Sequence, residues 1–439
     1  MPNLAEQLDC IMPTALAGSV ARTVGTTVSA AGFPAPIGAV AEIQRQSGAP
    51  LLAEVVGFRD DLTVLYPLSD FGGVRRGNRV RLVRTTRWLR VGPELLGRVI
   101  DAEGNVIDGG SQPALGDRTS LHRPPPDPCT RPRIDEPLTT GVRAIDGLLT
   151  CGKGQRMGIF SGSGVGKSVL LGMMARYTSA DVIVIALIGE RGREVNQFIE
   201  RDLGPAGLAK SVVVVATSNQ PALVRTHAAS TATAIAEYFR DQGKDVLLLM
   251  DSLTRFALAQ REIGLAAGEP PTTRGFTPSV FALLPKLVER AGRSPRGSIT
   301  AFYSVLVEAD DPNEPICDAV RGLLDGHTWL SRKLSSRGHY PAIDVLESIS
   351  RLMPDVTDEE HRQATYAFRD LLGAYRDHQD LISIGAYRRG SNKTVDAAID
   401  MQDDINRYLR QHVEQPSTLV DARQQLLALY RQVRERIGE

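Results

Sequence analysis

The stretch 159-IFSGSGVGKSVLL-171 joins a short apolar run to a helical pattern through a glycine-rich turn. Glycines at 162, 164 and 166 allow backbone N–H groups to turn inward around phosphate oxygens, and a helix that begins here presents the positive end of its dipole. Lys167 can then reach the β- and γ-phosphates of a nucleotide, and the hydroxyl of Ser168 can coordinate Mg²⁺. We therefore predict a phosphate-binding loop formed by Ser161, Gly162, Ser163, Gly164, Val165, Gly166, Lys167, Ser168 and Val169.

One position departs from the strict pattern of this loop. The motif GxxxxGK[ST] has glycine at its first position, where this chain has Ser161. The alternative interpretation is a glycine-rich turn that only links a strand to a helix. We favour the phosphate-binding interpretation because GVGKS follows an apolar run and opens a helical segment.

A second segment supplies a carboxylate suited to a magnesium ion. The residues 245-DVLLLMDSLTR-255 predict an apolar strand that ends in Asp251, as in a Walker B strand whose acid holds Mg²⁺ through water. Such a strand is common as plain structure, so its meaning depends on the phosphate-binding loop upstream. Ligands of open α/β sheets bind outside the carboxyl ends of the strands, and Lys167, Glu190 and Asp251 all follow predicted strand ends.

Glu190, in 188-IGERGREV-195, is the candidate that would turn nucleotide binding into hydrolysis. A carboxylate at this place can orient and polarise a water molecule for in-line attack on the γ-phosphorus. The alternative is an acid that interacts with a helix dipole, followed by Arg191 and Arg193 as solvated side chains. Glu194 is a weaker candidate for a supporting role.

The chain has 439 residues, enough for two or three domains. Short alternating runs with Gly, Pro and Asp between them predict a small β-barrel over 17–90. Residues 91–140 are predicted to be a connector, with a hairpin around Gly104-Asn105 and the proline-rich stretch RPPPDPCTRPRIDEP. We expect a nucleotide-binding domain over 141–355 and a separate all-α unit over 356–439.

Five apolar runs alternate with helical segments in the nucleotide-binding region. They are 156–160, 181–189, 211–217, 245–251 and 298–307. Runs rich in β-branched residues predict strands that are buried on both faces, and hence a parallel sheet covered by helices. The predicted fold class is α/β, with the barrel before the sheet and the helical unit after it.

Composition excludes several classes of protein. The 51 Lys and Arg residues balance 51 Asp and Glu residues, so the chain is not expected to coat nucleic acid by its overall charge. Its cysteines, at 10, 129, 151 and 317, are far apart and form no CxxC pair, which argues against a disulfide framework or structural zinc. The first basic residue is Arg22, and no apolar run is long enough to cross a bilayer. We therefore expect a cytoplasmic protein without a signal peptide.

Several long motifs, in the same order, resemble one protein family. They include TGVRAIDGLLTCGKGQRMGIFSGSGVGKS, ALIGERGREV, LLLMDSLTRFALAQREI, GEPPTTRGFTPSVFALLPKLVERAG and GHYPAIDVLESISR. The chain resembles the type III export ATPases, which power flagellar assembly and bacterial injectisomes and are related to the catalytic subunits of rotary ATP synthases. The resemblance spans about 138 to 353 and extends to the barrel motifs PIGAVAEIQ and GRVIDAEGNVIDG.

The resemblance implies a RecA-like P-loop core, hydrolysis of Mg-ATP and a homohexamer with sites between subunits. It implies that Lys167 and Ser168 bind phosphate and Mg²⁺, with Lys167 also taking part in catalysis. Glu190 would be the catalytic carboxylate, and Asp251 the Walker B acid that holds Mg²⁺ through water. These assignments agree with the interpretation of the same residues from their chemistry.

The resemblance also implies two roles that the residues alone leave open. Tyr340 matches a tyrosine that packs on adenine, and its aromatic face suits that contact; the less favoured alternative is an ordinary buried aromatic. Arg351 matches an arginine finger given by the neighbouring subunit, which neutralises charge in the transition state; the less favoured alternative is an ion pair with a nearby acid.

Export is favoured over ATP synthesis because export members often have a small residue other than glycine at the place of Ser161. The flagellar branch is favoured over the injectisome branch by 169-VLLGMMARYTSADVIVIALIGERGREV-195 and by the segment DHQDLISIGAYRRGSN. A hexameric RNA translocase like the Rho terminator is the alternative from another class. It would need exposed aromatic side chains for stacking bases, and the barrel region offers few, so no nucleic acid partner is expected.

The resemblance implies further partners: a regulator at the N-terminus, a central stalk protein, membrane proteins of the export gate, and complexes of chaperones with export substrates. Residues 1–16 contain the amphipathic pattern NLAEQLDCIM, which would bind the regulator or pack on the barrel. The run 75-RRGNRVRLVRTTRWLR-90 has the charge to contact acidic phospholipid headgroups or nucleic acid. The favoured interpretation is the solvated face of a strand. We expect a cytoplasmic protein that is peripheral at the inner face of the cell membrane.

Overall fold

The computed structural model describes residues 16–307, 311 and 313–438, so the predicted N-terminal regulator-binding segment, 1–16, lies outside the described residues except for Leu16. The chain first forms a closed antiparallel barrel in the order β1-β2-β5-β4-β3-β6. Alternate residues of each strand point inward, and Val28, Ile43, Leu51 and Leu65 are fully buried there. The predicted barrel is confirmed. Its strands are β1 (Ala17–Val24), β2 (Thr27–Ala31), β3 (Val40–Ile43), β4 (Leu51–Arg59), β5 (Leu62–Pro67) and β6 (Arg79–Arg84).

The segment after the barrel contributes strands to two different sheets. β7 (Trp88–Val91) pairs with β9 (Asp117–Ser120) in a small antiparallel sheet. β8 (Arg98–Asp101) pairs in parallel with β14 (Ser211–Thr217) and is the outermost strand on one side of the central sheet. Of the hairpin predicted around Gly104-Asn105, only one antiparallel bridge, between Ile100 and Val106, is present. Its first strand, β8, pairs mainly with β14.

The central sheet has nine strands, in the order β19-β18-β12-β17-β15-β13-β14-β8 with β16 beside β17. Neighbouring strands are parallel except for β19 against β18 and β16 against β17. The five predicted strands are present, whereas β18 and β19 were not predicted. The bounds are β12 (Arg156–Ser161), β13 (Val182–Glu190), β15 (Asp245–Asp251), β16 (Gly292–Arg293), β17 (Ser298–Leu306), β18 (Gly326–Leu330) and β19 (Ile343–Ser350); a separate pair comprises β10 (Pro137–Leu138) and β11 (Cys151–Gly152).

Helices cover both faces of this sheet, which confirms the predicted α/β class. β13 shows that both faces of the sheet are covered, since all nine of its residues are buried. Val184, Ala186 and Ile188 belong to the apolar cluster on one face, and Ile183 and Ile185 belong to the cluster on the other face. The α-helices of the described residues are Arg143–Leu148, Lys167–Tyr177, Gly192–Gln197, Gly204–Ala209, Ala222–Asp241, Leu253–Ala267, Pro278–Val288, Pro315–Leu323, Arg332–Ser336, Met353–Val356, Glu359–Ser383, Lys393–Asp400, Gln402–Leu409 and Leu419–Ile437. A π-helical turn comprises Phe198–Leu203, and 3-10 turns comprise Pro93–Leu95, Pro128–Thr130 and Thr273–Gly275.

The helical tail is all-α as predicted, but it does not have a core of its own. Phe368, Leu371 and Leu426 belong to the same buried cluster as Leu171 of the helix Lys167–Tyr177. The tail therefore packs as a continuation of one face of the nucleotide-binding domain, and changes at either side of that face can reach the other. No helix within the described ranges combines the length and apolar character needed to cross a bilayer.

Candidate active site

The predicted phosphate-binding loop follows β12 and leads into the helix Lys167–Tyr177. Gly164 and Gly166 have φ angles of 78° and 95°, in the left-handed region that favours glycine. Gly166 precedes the first helical turn and makes no side-chain cap there. The N–H groups of that turn therefore need other acceptors, and phosphate oxygens are suited to this place.

Three charged side chains from three segments meet beside this loop. Lys167 Nζ pairs with Asp251 Oδ1 and lies 3.9 Å from Glu190 Oε1. β12, β13 and β15 are linked through parallel pairings, so the residues at their carboxyl ends lie at one edge of the sheet. The structure thus brings together the lysine and both carboxylates that the sequence singled out.

The carboxylate of Asp251 is held in place by its surroundings. Asp251 is only 3% exposed, and its Oδ1 accepts a hydrogen bond of 2.7 Å from the Ser304 hydroxyl on β17. A buried carboxylate needs such partners because desolvation of the charge is otherwise costly. Ser304 was not predicted, since a single serine within an apolar strand carries no distinctive sequence signal.

Glu190 has the electrostatic setting of an acid that can gain and lose a proton near neutral pH. Burial and the neighbouring Asp251 charge raise the pKa of Glu190 to about 7, against the opposing influence of the Lys167 and Arg255 cations. A hydrogen bond with Glu194 contributes to this raised pKa of Glu190 and lowers the pKa of Glu194. A general base works best with a pKa near the operating pH, so this setting suits the role predicted for Glu190.

Arg255 is a functional candidate that the sequence interpretation missed. It lies in the first turn of the helix Leu253–Ala267, and its Nη2 donates to Glu190 Oε2 at 3.3 Å. Its Nη1 donates to the carbonyl of Gly189 at 2.5 Å. The guanidinium therefore holds both the side chain of Glu190 and the backbone before it. The available signal was an arginine that closely follows the strand-ending Asp251.

Tyr340 lies against the phosphate-binding loop. Its ring carbons are 3.5 Å from the position that a Cβ atom on Gly166 would take, and the residue is 46% exposed. The phenol hydroxyl forms a hydrogen bond of 2.9 Å with the Ser335 hydroxyl. An exposed ring beside the loop excludes the alternative of an ordinary buried aromatic and leaves a face for stacking on a base.

Arg351 lies at the opposite edge of the sheet from the phosphate-binding loop, the edge formed by the amino ends of the parallel strands. β19 runs antiparallel to β18, so that Ile343 pairs with Leu330 at the loop edge and Ser350 pairs with Gly326 at the other edge. The eight residues of β19, at about 3.3 Å each, separate the two ends of this strand by roughly 20 Å or more. Arg351, which is exposed, is therefore remote from the lysine and carboxylates of its own subunit.

The residues at the loop fit a magnesium ion that is bound together with nucleotide phosphates. The carboxylate of Asp251 and the exposed Ser168 hydroxyl in the first turn of the helix are oxygen donors of the kind that Mg²⁺ prefers. Within the described ranges no cluster of three or more His, Cys, Asp or Glu side chains could hold a metal by itself. This agrees with the habit of Mg²⁺ to use few protein ligands besides waters and substrate phosphates.

Comparisons with known proteins identify the family. Residues 141–350 match the nucleotide-binding domain of the ATP synthase alpha/beta family, 20–83 match its beta-barrel domain, and 357–428 match the T3SS EscN ATPase C-terminal domain. A flagellum-specific ATP synthase of Bacillus subtilis is 51% identical over 94% of this chain and 96% of its own length. The chain belongs to the type III export ATPases. It is therefore an ATP hydrolase with a nucleotide as its substrate.

Other relatives of this ATPase come from both branches of the family. A type 3 secretion system ATPase of Xanthomonas euvesicatoria is 52% identical over 91% of each chain. The assembled ATPase EscN from the enteropathogenic E. coli type III secretion system is 47% identical, with a TM-score of 0.89 over 94% of this chain and all of the other. EscN has also been solved in complex with its central stalk EscO, with a TM-score of 0.87 and 46% identity over 94% of this chain and 100% of that one.

Proposed function

We propose that this ATPase works as a homohexamer that hydrolyses Mg-ATP to power type III export of flagellar proteins. The observation that carries the proposal is the division of charged groups between two edges of the sheet. Lys167, Glu190 and Asp251 meet at one edge, whereas Arg351 follows the other end of β19. A complete site for phosphoryl transfer then needs one edge from each of two subunits.

Each group at the loop edge has a chemical task. The Lys167 ammonium, which pairs with Asp251, would turn to the phosphates when ATP occupies the loop. Glu190 would orient the attacking water and accept its proton as the oxygen–phosphorus bond forms and ADP leaves. Mg²⁺, held by Ser168 and through water by Asp251, would neutralise phosphate charge. Arg255 would keep Glu190 aimed at the water, since it anchors both its carboxylate and the preceding carbonyl.

Two further residues complete the site in this proposal. Tyr340 would stack on the adenine, for which its exposed ring beside the loop is suited. Arg351 of the adjacent subunit would act as the arginine finger and neutralise charge that develops on the transferred phosphoryl group. The separation of Arg351 from its own loop edge supports an action in trans.

The choice of flagellar export rests on the sequence segments that resemble flagellar members, since the relatives of both branches are about equally similar. Release of chaperones and unfolding of substrates at the export gate would be the work done with ATP. The partners proposed are the N-terminal regulator, a central stalk protein, the gate proteins and chaperone–substrate complexes. The enzyme would be cytoplasmic and peripheral at the inner face of the membrane.

The arginine run of the barrel divides into two groups with different surroundings. Arg87 is buried and pairs with Glu54 at 3.0 Å, so it is structural and not part of a solvated face. The other arginines of the run are exposed, and a contact with acidic phospholipid is proposed for these exposed side chains alone; they are Arg75, Arg76, Arg79, Arg81, Arg84 and Arg90.

The test of the export function replaces Glu190 by glutamine in the chromosomal copy of the source organism. We expect secretion of flagellar rod, hook and filament proteins to stop while the variant accumulates to the normal level. Restored secretion from a plasmid that encodes the unaltered chain is the control. Loss of effector secretion with unaffected flagella would instead assign the ATPase to an injectisome, and normal secretion of both kinds would overturn the export proposal.

A further inference from the structure

The helical tail makes a direct hydrogen bond to the tyrosine beside the phosphate-binding loop. The backbone N–H of Gln411 donates to the carbonyl of Tyr340 at 3.0 Å. Gln411 lies in the segment that joins the helices Gln402–Leu409 and Leu419–Ile437. The position of the Tyr340 backbone is thus set in part from the tail and not only from the strand that follows it.

Hydrogen bonds of the Gln411 side chain hold the Gln411 backbone in the position where it contacts Tyr340. Gln411 is 5% exposed; its Oε1 accepts from the N–H of Arg143 at 2.8 Å, and its Nε2 donates to the carbonyl of Gly141 at 2.9 Å. Nε2 also donates to the carbonyl of Gln415 at 2.7 Å. A buried amide with all these partners holds its backbone in one place, because loss of any partner would leave a polar atom unsatisfied.

The same segment also touches the far end of the helix that begins at Lys167. The carbonyl of Val413 accepts from Arg176 Nη2 at 2.9 Å and from the Tyr177 hydroxyl at 3.2 Å. The segment 410–413 therefore contacts both the helix Lys167–Tyr177, which follows the phosphate-binding loop, and Tyr340 in the loop before β19.

The Arg143 side chain, near the start of the nucleotide-binding domain, binds the chain just before Gln411. Its guanidinium donates to the carbonyls of Tyr408 at 2.8 Å and Arg410 at 2.6 Å, and to the side chain of Gln425 at 2.9 Å. Cationic donors near a helix C-terminus stabilise the last carbonyls, which lack partners within the helix. The helix Gln402–Leu409 thus ends at a fixed place, two residues before Gln411.

We propose that Gln411 is a positioning residue for nucleotide binding, through which the helical tail sets the place of Tyr340 and hence the affinity for the adenine base. The inference rests on the proposed role of Tyr340 in binding the base. Coupling of this kind is reciprocal, so occupation of the site by nucleotide stabilises the segment 410–413 in return. Movement of the tail by a protein partner would then change the affinity of the ATPase for its substrate.

The test compares steady-state ATP hydrolysis of Gln411→Ala with two other variants in the full chain. We expect Gln411→Ala to raise KM by about tenfold, as for loss of buried hydrogen bonds, with kcat within about twofold of the unaltered enzyme. Gln425→Ala is the matched control, because this glutamine also bonds to Arg143, through the guanidinium and not the backbone, and does not bond to Tyr340. Its KM should be unchanged.

Tyr340→Ala separates failure of this inference from failure of the proposed base site. If Tyr340→Ala raises KM and Gln411→Ala does not, the positioning role is wrong while the base site stands. If Tyr340→Ala leaves KM unchanged, the base site itself is wrong and the inference falls with it. Equal increases for Gln411→Ala and Gln425→Ala would indicate a general loss of tail structure and would overturn the specific role.

Hydrogen exchange of the unaltered enzyme tests the coupling between nucleotide and Gln411 even if the Gln411→Ala variant does not fold. Addition of Mg-ADP should slow exchange of the Gln411 amide, which bonds to Tyr340, by about tenfold or more. The amide of Gln415, which bonds to the carbonyl of His412 at 3.0 Å, should change much less. No change at Gln411 under conditions where Mg-ADP saturates the enzyme would overturn the coupling.

Discussion

The two edges of the central sheet contain very different groups. At the carboxyl ends of the parallel strands, Lys167, Glu190 and Asp251 are nearly buried and lie within a few ångströms of one another. At the opposite edge, Arg351 is exposed at the surface. One strand, β19, connects the two edges, with Tyr340 shortly before it and Arg351 directly after it.

If the proposed roles of these residues hold, this difference means that one chain carries a complete set of phosphoryl-transfer groups without completing a site by itself. A parallel sheet places all the carboxyl ends of its strands together, and the antiparallel β19 returns the chain to the other edge. A second copy whose Arg351 edge faces the loop edge would supply the missing cation. Buried groups near the loop are pre-organised, whereas the exposed arginine can enter a neighbour's site.

The largest effect is expected from Arg351→Ala, which removes the group at the remote edge. We expect kcat to fall by roughly 10³–10⁵-fold, because an arginine finger neutralises charge in the transition state. The measurement is ATP turnover at saturating substrate and at a protein concentration where the variant assembles. Arg351→Lys should recover only part of the activity, since lysine keeps the charge but not the planar fork.

A mixture of variants tests whether the two edges act across subunits. Arg351→Ala mixed with Lys167→Ala should regain activity, because some interfaces then pair an intact loop edge with an intact arginine edge. If both variants assemble together and the mixture stays inactive, Arg351 does not act in trans.

The next largest effect is expected from Glu190→Gln at the loop edge. Turnover should fall by roughly 10²–10⁴-fold, the usual contribution of a general base, while ATP binding persists because the change preserves the shape of the side chain. Glu194→Gln is the matched control, since the Glu194 side chain is 38% exposed, pairs with Arg191 and contacts Glu190 from outside the buried group of charges. Equal losses in both variants would contradict the assignment of the base to Glu190.

The smallest effect concerns pH and depends on the raised pKa of Glu190, about 7. The carboxyl must be deprotonated to accept a proton, so kcat/KM should fall by about tenfold per pH unit on acidification below this value and level off above it. Arg255→Gln removes a cation that favours the charged carboxylate. It should therefore move the acid limb to higher pH, and a shift to lower pH would be evidence against the contact between Arg255 and Glu190.

Local patterns predicted most of the framework. The apolar runs of β12, β13, β14, β15 and β17 are rich in apolar and β-branched residues, a pattern typical of parallel strands that are buried on both faces. The glycine-rich turn between β12 and the next helix could be predicted for the same kind of reason, because its glycines, lysine and serine lie within one contiguous segment. The positions of Asp251 and Glu190 beside Lys167 followed from the rule that the carboxyl ends of parallel strands lie together.

The missed features all depend on partners that are distant in sequence. β8 was assigned to a hairpin, yet its strongest pairing is with β14. Arg87 was counted in a solvated run, yet Glu54 of the barrel and its burial make it structural. Arg255 was not singled out because only the fold places its guanidinium on Glu190.

The sequence by itself determined the α/β class, the family and the place of the glycine-rich turn between β12 and the helix Lys167–Tyr177, since each depends on local periodicity or on contiguous motifs. Only the tertiary structure decided that Arg351 lies away from its own site, that Arg255 holds Glu190, and that the helical tail contacts Tyr340 through Gln411. The physical reason is that these relations depend on strand direction and on packing between distant segments, which no local pattern encodes.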